Sequence, residues 1–475
     1  MSDAIVVGSG PNSLAAAVTL AERGLAVTVL EAAAEIGGGA RSGEATLPGV
    51  LHDHCSAVHP FGIASPFLRS ADLARHGLRW RLPEVDLAHP LDGGDAVTAG
   101  RSVHATARAL GPDGAAWLRL FGDLSEGFDE LAEDTLRPIV RVPAHPVRLA
   151  RFGSRALLPA TVLARRWHTE RARALFAGAA AHSFQPLDRP LTSAAGLLLI
   201  AAAHHRGWPV AEGGSGAITA ALAGRLRELG GRIETGVRVT SLAELRPCPV
   251  VLLDVAPRAA AAICGPALPR PVRRAYLRYR HGPAAFKVDF AVAGGIPWRN
   301  ADCRRAGTVH VGGTLEEVAF AEGEVARGRM PQRPFLVVAQ QYLADPGRSA
   351  GDVHPVHAYA HVPHGYPGDV EGLLVAGIER FAPGFRHRIL ASVATGPGEL
   401  ERRNPNYVGG DICTGANGPV RTVLRPRTAP HPYDTGIPGV YLCSAATPPG
   451  AGVHGMCGAN AARAALRAVP RGGPG

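Results

Sequence analysis

Residues 4–31, AIVVGSGPNSLAAAVTLAERGLAVTVLE, read as a strand–turn–helix–strand unit that sets the fold class. The run from Ala4 to Val7 is uninterrupted apolar, the pattern of a strand covered on both faces of a parallel sheet. The stretch Leu14 to Gly24 carries apolar residues at helical spacing, and a second apolar run ends at Glu31. The chemistry sits in the turn between them. Gly8 permits a tight turn, and Gly10 lets the backbone approach a pyrophosphate. The helix start at Pro11, Asn12 and Ser13 aims its amides at that negative charge. Glu31 is placed to accept hydrogen bonds from an adenosine ribose. Ser13 stands at the third glycine of the fingerprint and is small enough for close helix–strand packing. A bare G-x-G is weak evidence, and a plain doubly wound domain is the competing reading. The strand–helix–strand context with Glu31 points to dinucleotide binding.

A second glycine turn, GGGARS (37–42), follows Glu31 closely. Gly38, Gly39 and Arg41 suit a flavin dinucleotide whose ribityl-pyrophosphate runs past this loop, with Arg41 offering planar donors to phosphate. The alternative is a glycine-rich surface turn. Near the other end, GAGVHG (450–455) matches G-x-G-x-x-G literally, yet no strand and no acidic residue follow it. It reads as the closing part of the same domain, so no nicotinamide-binding unit is expected.

The stretches IVVGSGP, Glu31 and GGGARS resemble the large FAD-dependent group that holds the phytoene desaturases and the flavin amine oxidases. GWPVAEGGSGAITAALAGRL (207–226), FKVDFAV (286–292), VHVGGTLEEVAFAE (309–322), NPNYVGGDI (404–412) and YLCSAATPPGAGVHGMCGANAARAA (441–465) extend the likeness. They resemble its phytoene-desaturase-like branch, of the pyridine nucleotide-disulfide oxidoreductase domain protein 2 type. The resemblance implies an α/β fold with a discontinuous Rossmann-like FAD-binding domain, residues 1–70, 195–280 and 405–475. An α+β substrate domain, residues 71–194 and 281–404, is inserted in it. It further implies that backbone near Val239 holds the adenine. The terminal helix, near Gly455 and Met456, would face the flavin N1–C2=O edge, where helix amides stabilise negative charge.

The chain has 475 residues and a formal charge of +10, carried almost wholly by arginine. Nucleic acid or an acidic membrane would explain a basic surface; a chain-wide preference for arginine explains it more simply, and no nucleic-acid partner is expected. The seven cysteines include no C-x-x-C pair, so reduced thiols are expected, with no zinc site and no redox dithiol. No long uncharged apolar run and no basic leader are visible, so a cytoplasmic location is expected. Residues 141–175 hold eight arginines against Glu170. They read as a solvated helical face broken by Pro143, Pro146 and Pro159, with peripheral membrane contact or a lid as the alternative. The runs TVHVGG, PFLVVAQQY and HPVHAYAHVP suit a sheet under a substrate cavity, with His354, His357 and His361 structural or at the surface.

Lys287 is the only lysine in the chain. It lies in GPAAFKVDFAV (282–292), which reads as one strand with Phe286, Val288, Phe290 and Val292 on the core face. Lys287 and Asp289 share the other face, where pairing with each other is the bland reading. In flavin amine oxidases a lysine at similar spacing reaches a water at flavin N5, and the resemblance gives Lys287 that role. A lysine is a compact point charge and arginine is not, so the two are not interchangeable there. The resemblance also brings His59 and His454 near the flavin ring as acid–base candidates. Cys413 is a candidate for a covalent flavin link, although a buried inert thiol explains it equally well.

The expected activity is that of a FAD-dependent oxidoreductase. It removes hydride from a C–H bond of an apolar small molecule and passes electrons to oxygen or a quinone. A membrane-associated carotenoid-type desaturase or isomerase and a non-catalytic flavoprotein are the alternatives. Substrate, acceptor and oligomeric state are left open.

Overall fold

Twelve strands build the two main sheets of the computed structural model, which describes residues 2–468. In chain order they are β1 (Ala4–Val7), β2 (Val27–Leu30), β3 (Val85–Pro90), β4 (Ala96–Ala99), β5 (Arg232–Glu234) and β6 (Val250–Leu253). There follow β7 (Ala284–Ala293), β8 (Ala306–Val311), β9 (Leu336–Ala339), β10 (Val353–Val362), β11 (Ile389–Thr395) and β12 (Val440–Leu442). Five helices matter for the site: α1 (Pro11–Ala21), α2 (Glu170–Ala181), α3 (Thr192–Arg206), α4 (Glu371–Phe381) and α5 (Met456–Ala468).

The first sheet has the order β12-β6-β1-β2-β5 and is parallel throughout. Its strands come from three separate stretches of chain, yet the register is tight: Ala4 lies opposite both Val27 and Val250. Such a sheet needs crossovers, and α1 supplies the one between β1 and β2. At Ser13, fully buried, the hydroxyl donates to Asp254 at the end of β6 (2.5 Å), so serine there bonds as well as packs. The last helix closes the unit by backbone contact. A Cβ added at Gly458 of α5 would stand 1.7 Å from the Asn12 carbonyl oxygen, so only glycine lets α5 lie against the start of α1. The edge strand β5 stops at Glu234. Gly236 turns the chain with φ +74°, and the Val237 amide then donates to the Glu31 carbonyl (2.8 Å).

The second sheet has the order β11-β7-β10-β9-β8-β3-β4, antiparallel except where β8 meets β3. Side chains alternate across a strand, and this sheet uses the alternation fully. One face is apolar: Phe286, Val288, Phe290 and Val292 of β7 pack with Val309, Val338, Ala358 and the Leu374–Ile378 side of α4. The other face carries the polar residues. Lys287 lies opposite Tyr359 and Thr395, and Asp289 lies opposite His357. Tyr359 in turn lies opposite Val337, His357 opposite Ala339, and Ala339 opposite Thr308.

Residues 141–175 form a helix over Pro146–Ala156, short turns, and the start of α2. Of the arginines there, Arg141 pairs with Asp134 and Arg148 with Glu130. Among the described residues no helix is long and apolar enough to cross a membrane.

Phe290 is fully buried between β7 and α4. Phe290→Ala is expected to lower the unfolding free energy by about 3–5 kcal/mol, read from urea denaturation, because the cavity it leaves cannot fully collapse.

Candidate active site

The carboxyl ends of β1, β2 and β6 open into one cavity of about 860 Å³ that runs from the glycine turns to the polar face of the second sheet. Open parallel sheets bind ligands at this edge. The size lies in the upper part of the roughly 300–1,000 Å³ range of small-molecule and cofactor sites.

At the first end the wall is backbone and glycine. Gly8, with φ +103°, makes the turn out of β1. Gly10 caps α1 with no side chain of its own; the Ser13 amide in the first turn donates to Asp254 Oδ2 (3.1 Å), and the helix start meets the cavity through Gly10, Pro11 and Asn12. The two glycine turns are knotted by Ser9. Its amide and hydroxyl both donate to Glu31 Oε2 (2.8 and 2.6 Å), and its carbonyl accepts from the Gly37 amide (3.1 Å). The Ala33 amide donates to Glu31 Oε1 (2.8 Å), so three bonds hold the carboxylate in place. Gly38, Gly39, Arg41 and Val239 complete this wall. Arg41 spends donors on the carbonyls of Gly38 (3.0 Å) and Arg403 (2.9 Å). Asp254 lines the same end. Burial pushes its carboxyl up to about 6, and Glu31 adds to the rise against the two bonds from Ser13.

At the far end the wall is apolar, with polar groups from the sheet. Phe184, Leu198 and Trp208 form one side, and Thr308, Val337, Ala339, His357 and Tyr359 the floor. Beside the floor, on the adjoining strand β7, Lys287 is 2 % exposed and its ammonium is bound to Asp289. Asp289 Oδ1 lies 3.5 Å from His52 Nδ1 and 3.8 Å from His357 Nδ1. Burial would raise the Asp289 carboxyl, but Lys287 and the two histidines hold it down at about 2. Burial and Lys287 lower His357 to about 3, so its ring is neutral.

The residues expected from sequence divide cleanly. Gly8, Gly10, Pro11, Asn12, Glu31, Gly38, Gly39, Arg41 and Val239 line one end of the cavity together. Ser13 sits behind the wall on Asp254. The cavity meets Gly452 and Val453, whereas Met456 is fully buried in α5 and Gly455 packs against Ala15 and Phe67. His59 and His454 are buried outside the wall. His59 Nε2 shares a hydrogen bond with Ser215 Oγ (2.8 Å), and His454 Nδ1 accepts from the Met456 amide (3.0 Å). Burial lowers both rings to about 4. Lys287 stands beside the floor, outside the cavity lining, and Cys413 lines the cavity with its thiol pushed well up by burial. Of the three histidines expected to be structural or at the surface, His361 binds Glu322 (2.8 Å) and His354 binds Ser349 (2.8 Å), but His357 faces the cavity. Sequence reasoning missed Ser9, Asp254, His182, His357 and Tyr359. For His357 and Tyr359 the signal was the alternation in HPVHAYAHVP, which puts both on one face. Among the described residues no cluster of three or more His, Cys, Asp or Glu is arranged to hold a metal.

These features define a Rossmann-like α/β protein with the fold of the flavin amine oxidases. The profile of the NAD(P)-binding Rossmann-like domain matches residues 6–70. Along its length the chain is similar to pyridine nucleotide-disulfide oxidoreductase domain-containing protein 2 of Mus musculus, 24% identical over 556 aligned residues, covering 98% of this chain and 93% of that one. That agrees with the resemblance carried by the glycine turns and the C-terminal motif. Among solved structures, an oxidoreductase from Methanosarcina mazei superposes with a TM-score of 0.62 at 15% identity, covering 98% of this chain and 99% of that one. Putrescine oxidase bound to putrescine superposes with a TM-score of 0.60 at 17% identity, covering 98% of each chain.

Two predictions follow from the charges. Lys287→Met leaves Asp289 buried without its cation and is expected to cost about 3–5 kcal/mol of stability; the double variant with Asp289→Asn regains most of it in urea denaturation. Asp254 has a folded pKa raised above its ordinary 3.8, so the native state binds the proton more tightly than the unfolded chain. Its contribution is present below about pH 4 and is lost as pH rises to about 6. Denaturation midpoints of wild type and Asp254→Asn between pH 4 and 6 should therefore differ in slope, the variant being flatter.

Proposed function

We propose that this protein is a FAD-dependent oxidoreductase that takes hydride from a C–H bond of a small molecule held at the sheet end of the cavity. The observation that carries the reading is the single cavity joining two unlike ends. One is a helix start between two glycine turns with a fixed Glu31, and the other is a largely apolar chamber over a sheet. A dinucleotide fits the first end and leaves the second for substrate.

FAD, when bound, supplies the acceptance of hydride and the return of electrons to oxygen or a quinone. The chain supplies the rest. Gly8, Gly10, Pro11 and Asn12 would receive the pyrophosphate, Glu31 the ribose, and Val239 with its neighbours the adenine. Gly38, Gly39 and Arg41 would flank the ribityl chain. Phe184, Leu198, Trp208 and Val337 exclude water from the chamber. Lys287 stands beside the floor on the adjoining strand, outside the cavity lining, its charge balanced by Asp289. In the same reading residues 1–70, 195–280 and 405–475 make up the FAD-binding unit, and residues 71–194 and 281–404 the substrate unit. The boundary at 195 falls within α3, which runs unbroken from Thr192 to Arg206 and lends its start to the chamber wall.

The test is the visible spectrum of the purified protein before and after acid precipitation. A band near ~450 nm that moves to the supernatant is expected for non-covalent flavin held by this fold. Colour retained in the pellet would assign a covalent link and point to Cys413. A colourless protein that cannot be reconstituted with FAD would overturn the reading.

A further inference from the structure

The sheet end of the cavity is not a plain hydrocarbon chamber. Thr308 and His357 stand in its floor, 1% and 3% exposed, linked across β8, β9 and β10 through Ala339. Above them the turn after α2 brings His182 and Ser183 into the wall. His182 Nε2 shares a hydrogen bond with His310 Nε2 (2.9 Å), and His310 lies on the same sheet face as Thr308. Among the described residues, Thr308 Oγ1 and Ser183 Oγ have no hydrogen-bond partner. Buried polar groups are nearly always satisfied, and two left over around one chamber call for a ligand or water that satisfies them. An alkyl or polyene tail against them would leave each one desolvated and unpaired.

The charge balance narrows the ligand. The residues lining this end carry no formal charge. Lys287 and Asp289, beside the floor on the adjoining strand, cancel each other. Burial keeps His182 and His357 neutral, both at about 3. An ammonium or carboxylate head would therefore enter without a counter-charge and lose its hydration. The orientation of His357 sets the sense of the hydrogen bond. Its Nδ1 is the nitrogen nearest the Asp289 carboxylate, which favours the tautomer with the proton on Nδ1 and leaves Nε2 as an acceptor.

We propose that the sheet end of the cavity binds a neutral O–H or N–H head group on an apolar body, with His357 and Thr308 as the specificity-determining residues. His357 accepts from the head group, Thr308 bonds its heteroatom, and the apolar body lies along Phe184, Leu198 and Trp208. This deepens the reading of the chamber as the substrate site and rests on it. An uncharged alcohol and the free base of an amine share the recognised chemistry; a hydrocarbon of the same length does not.

The experiment is calorimetric titration of the full chain with 1-hexanol, 1-hexylamine and 1-hexene. Hexanol is expected to bind at least ~10-fold more tightly than hexene, a difference of about 1.4 kcal/mol. An amine recognised as its free base gains affinity by about tenfold per pH unit between pH 7 and 9, while hexanol stays flat, and this separates the two sources. In Thr308→Val and His357→Phe, the first nearly isosteric, the advantage of hexanol is expected to fall to within about threefold. Equal binding of hexanol and hexene by wild type, no measurable binding of hexanol, or a preference kept by both variants would each overturn the inference. The visible spectrum of the same sample separates this from the cofactor reading. A yellow protein without head-group preference keeps the flavoprotein and loses this inference; a colourless one with the preference does the reverse.

Discussion

A buried ammonium has to be paired, and the bond from Lys287 to Asp289 is the constraint around which the second sheet is organised. The two residues are neighbours on one face of β7 because side chains alternate. That same alternation sends Phe286, Val288 and Phe290 to the opposite face, where they pack against α4. The strand therefore fixes at once which face is core and which face looks toward the cavity. Asp289 then gathers His52 and His357 around it, and His357 emerges in the cavity floor. An arginine at 287 would be longer and planar and would not make the same short-range pair with its neighbour two residues on.

The opposite end of the cavity is organised by neutral donors and a single helix terminus. Ser9 carries the load between the turn at Gly8–Gly10, the turn at Gly37–Gly39 and the carboxylate of Glu31. Asn406 joins this knot to the C-terminal third of the chain: its side chain accepts from the Ala256 amide (2.8 Å) and donates to the Asp254 carbonyl (3.0 Å). A second buried ion cluster braces the connection between the two ends. Arg348, with no exposed side-chain surface, binds Asp53 (2.5 Å), Asp345 (2.9 Å) and the Ala211 carbonyl (2.6 Å). It pins the hairpin that carries Ser42 to the loop before Gly213–Ser215. Breaking such a cluster exposes several desolvated groups together, so it holds the walls in register more firmly than surface pairs do.

The two ends differ in what they offer a ligand. The dinucleotide end presents backbone, glycine and fixed carboxylates, and the sheet end presents an apolar wall with neutral polar atoms. A redox enzyme of this architecture needs both, because the cofactor must be held without regard to substrate and the substrate must be held against one face of it. The enclosed floor and the balanced charges beside it keep the chamber at low dielectric, where a few hydrogen bonds discriminate well.

The sequence alone determined the local units. The apolar run at Ala4–Val7, the G-x-G turn and Glu31 specify a strand–turn–helix–strand, because turn geometry and short-range periodicity suffice for that. It likewise assigned the two faces of β7. Tertiary structure decided which side chains share the cavity. His59 and His454 sit near the right motifs in sequence, yet each is turned into a hydrogen bond with the surrounding fold. His357 and Thr308 carry no motif at all and meet only because β8, β9 and β10 pair in one register. Register between strands this far apart in the chain depends on how whole faces bury against one another, and no local pattern encodes it.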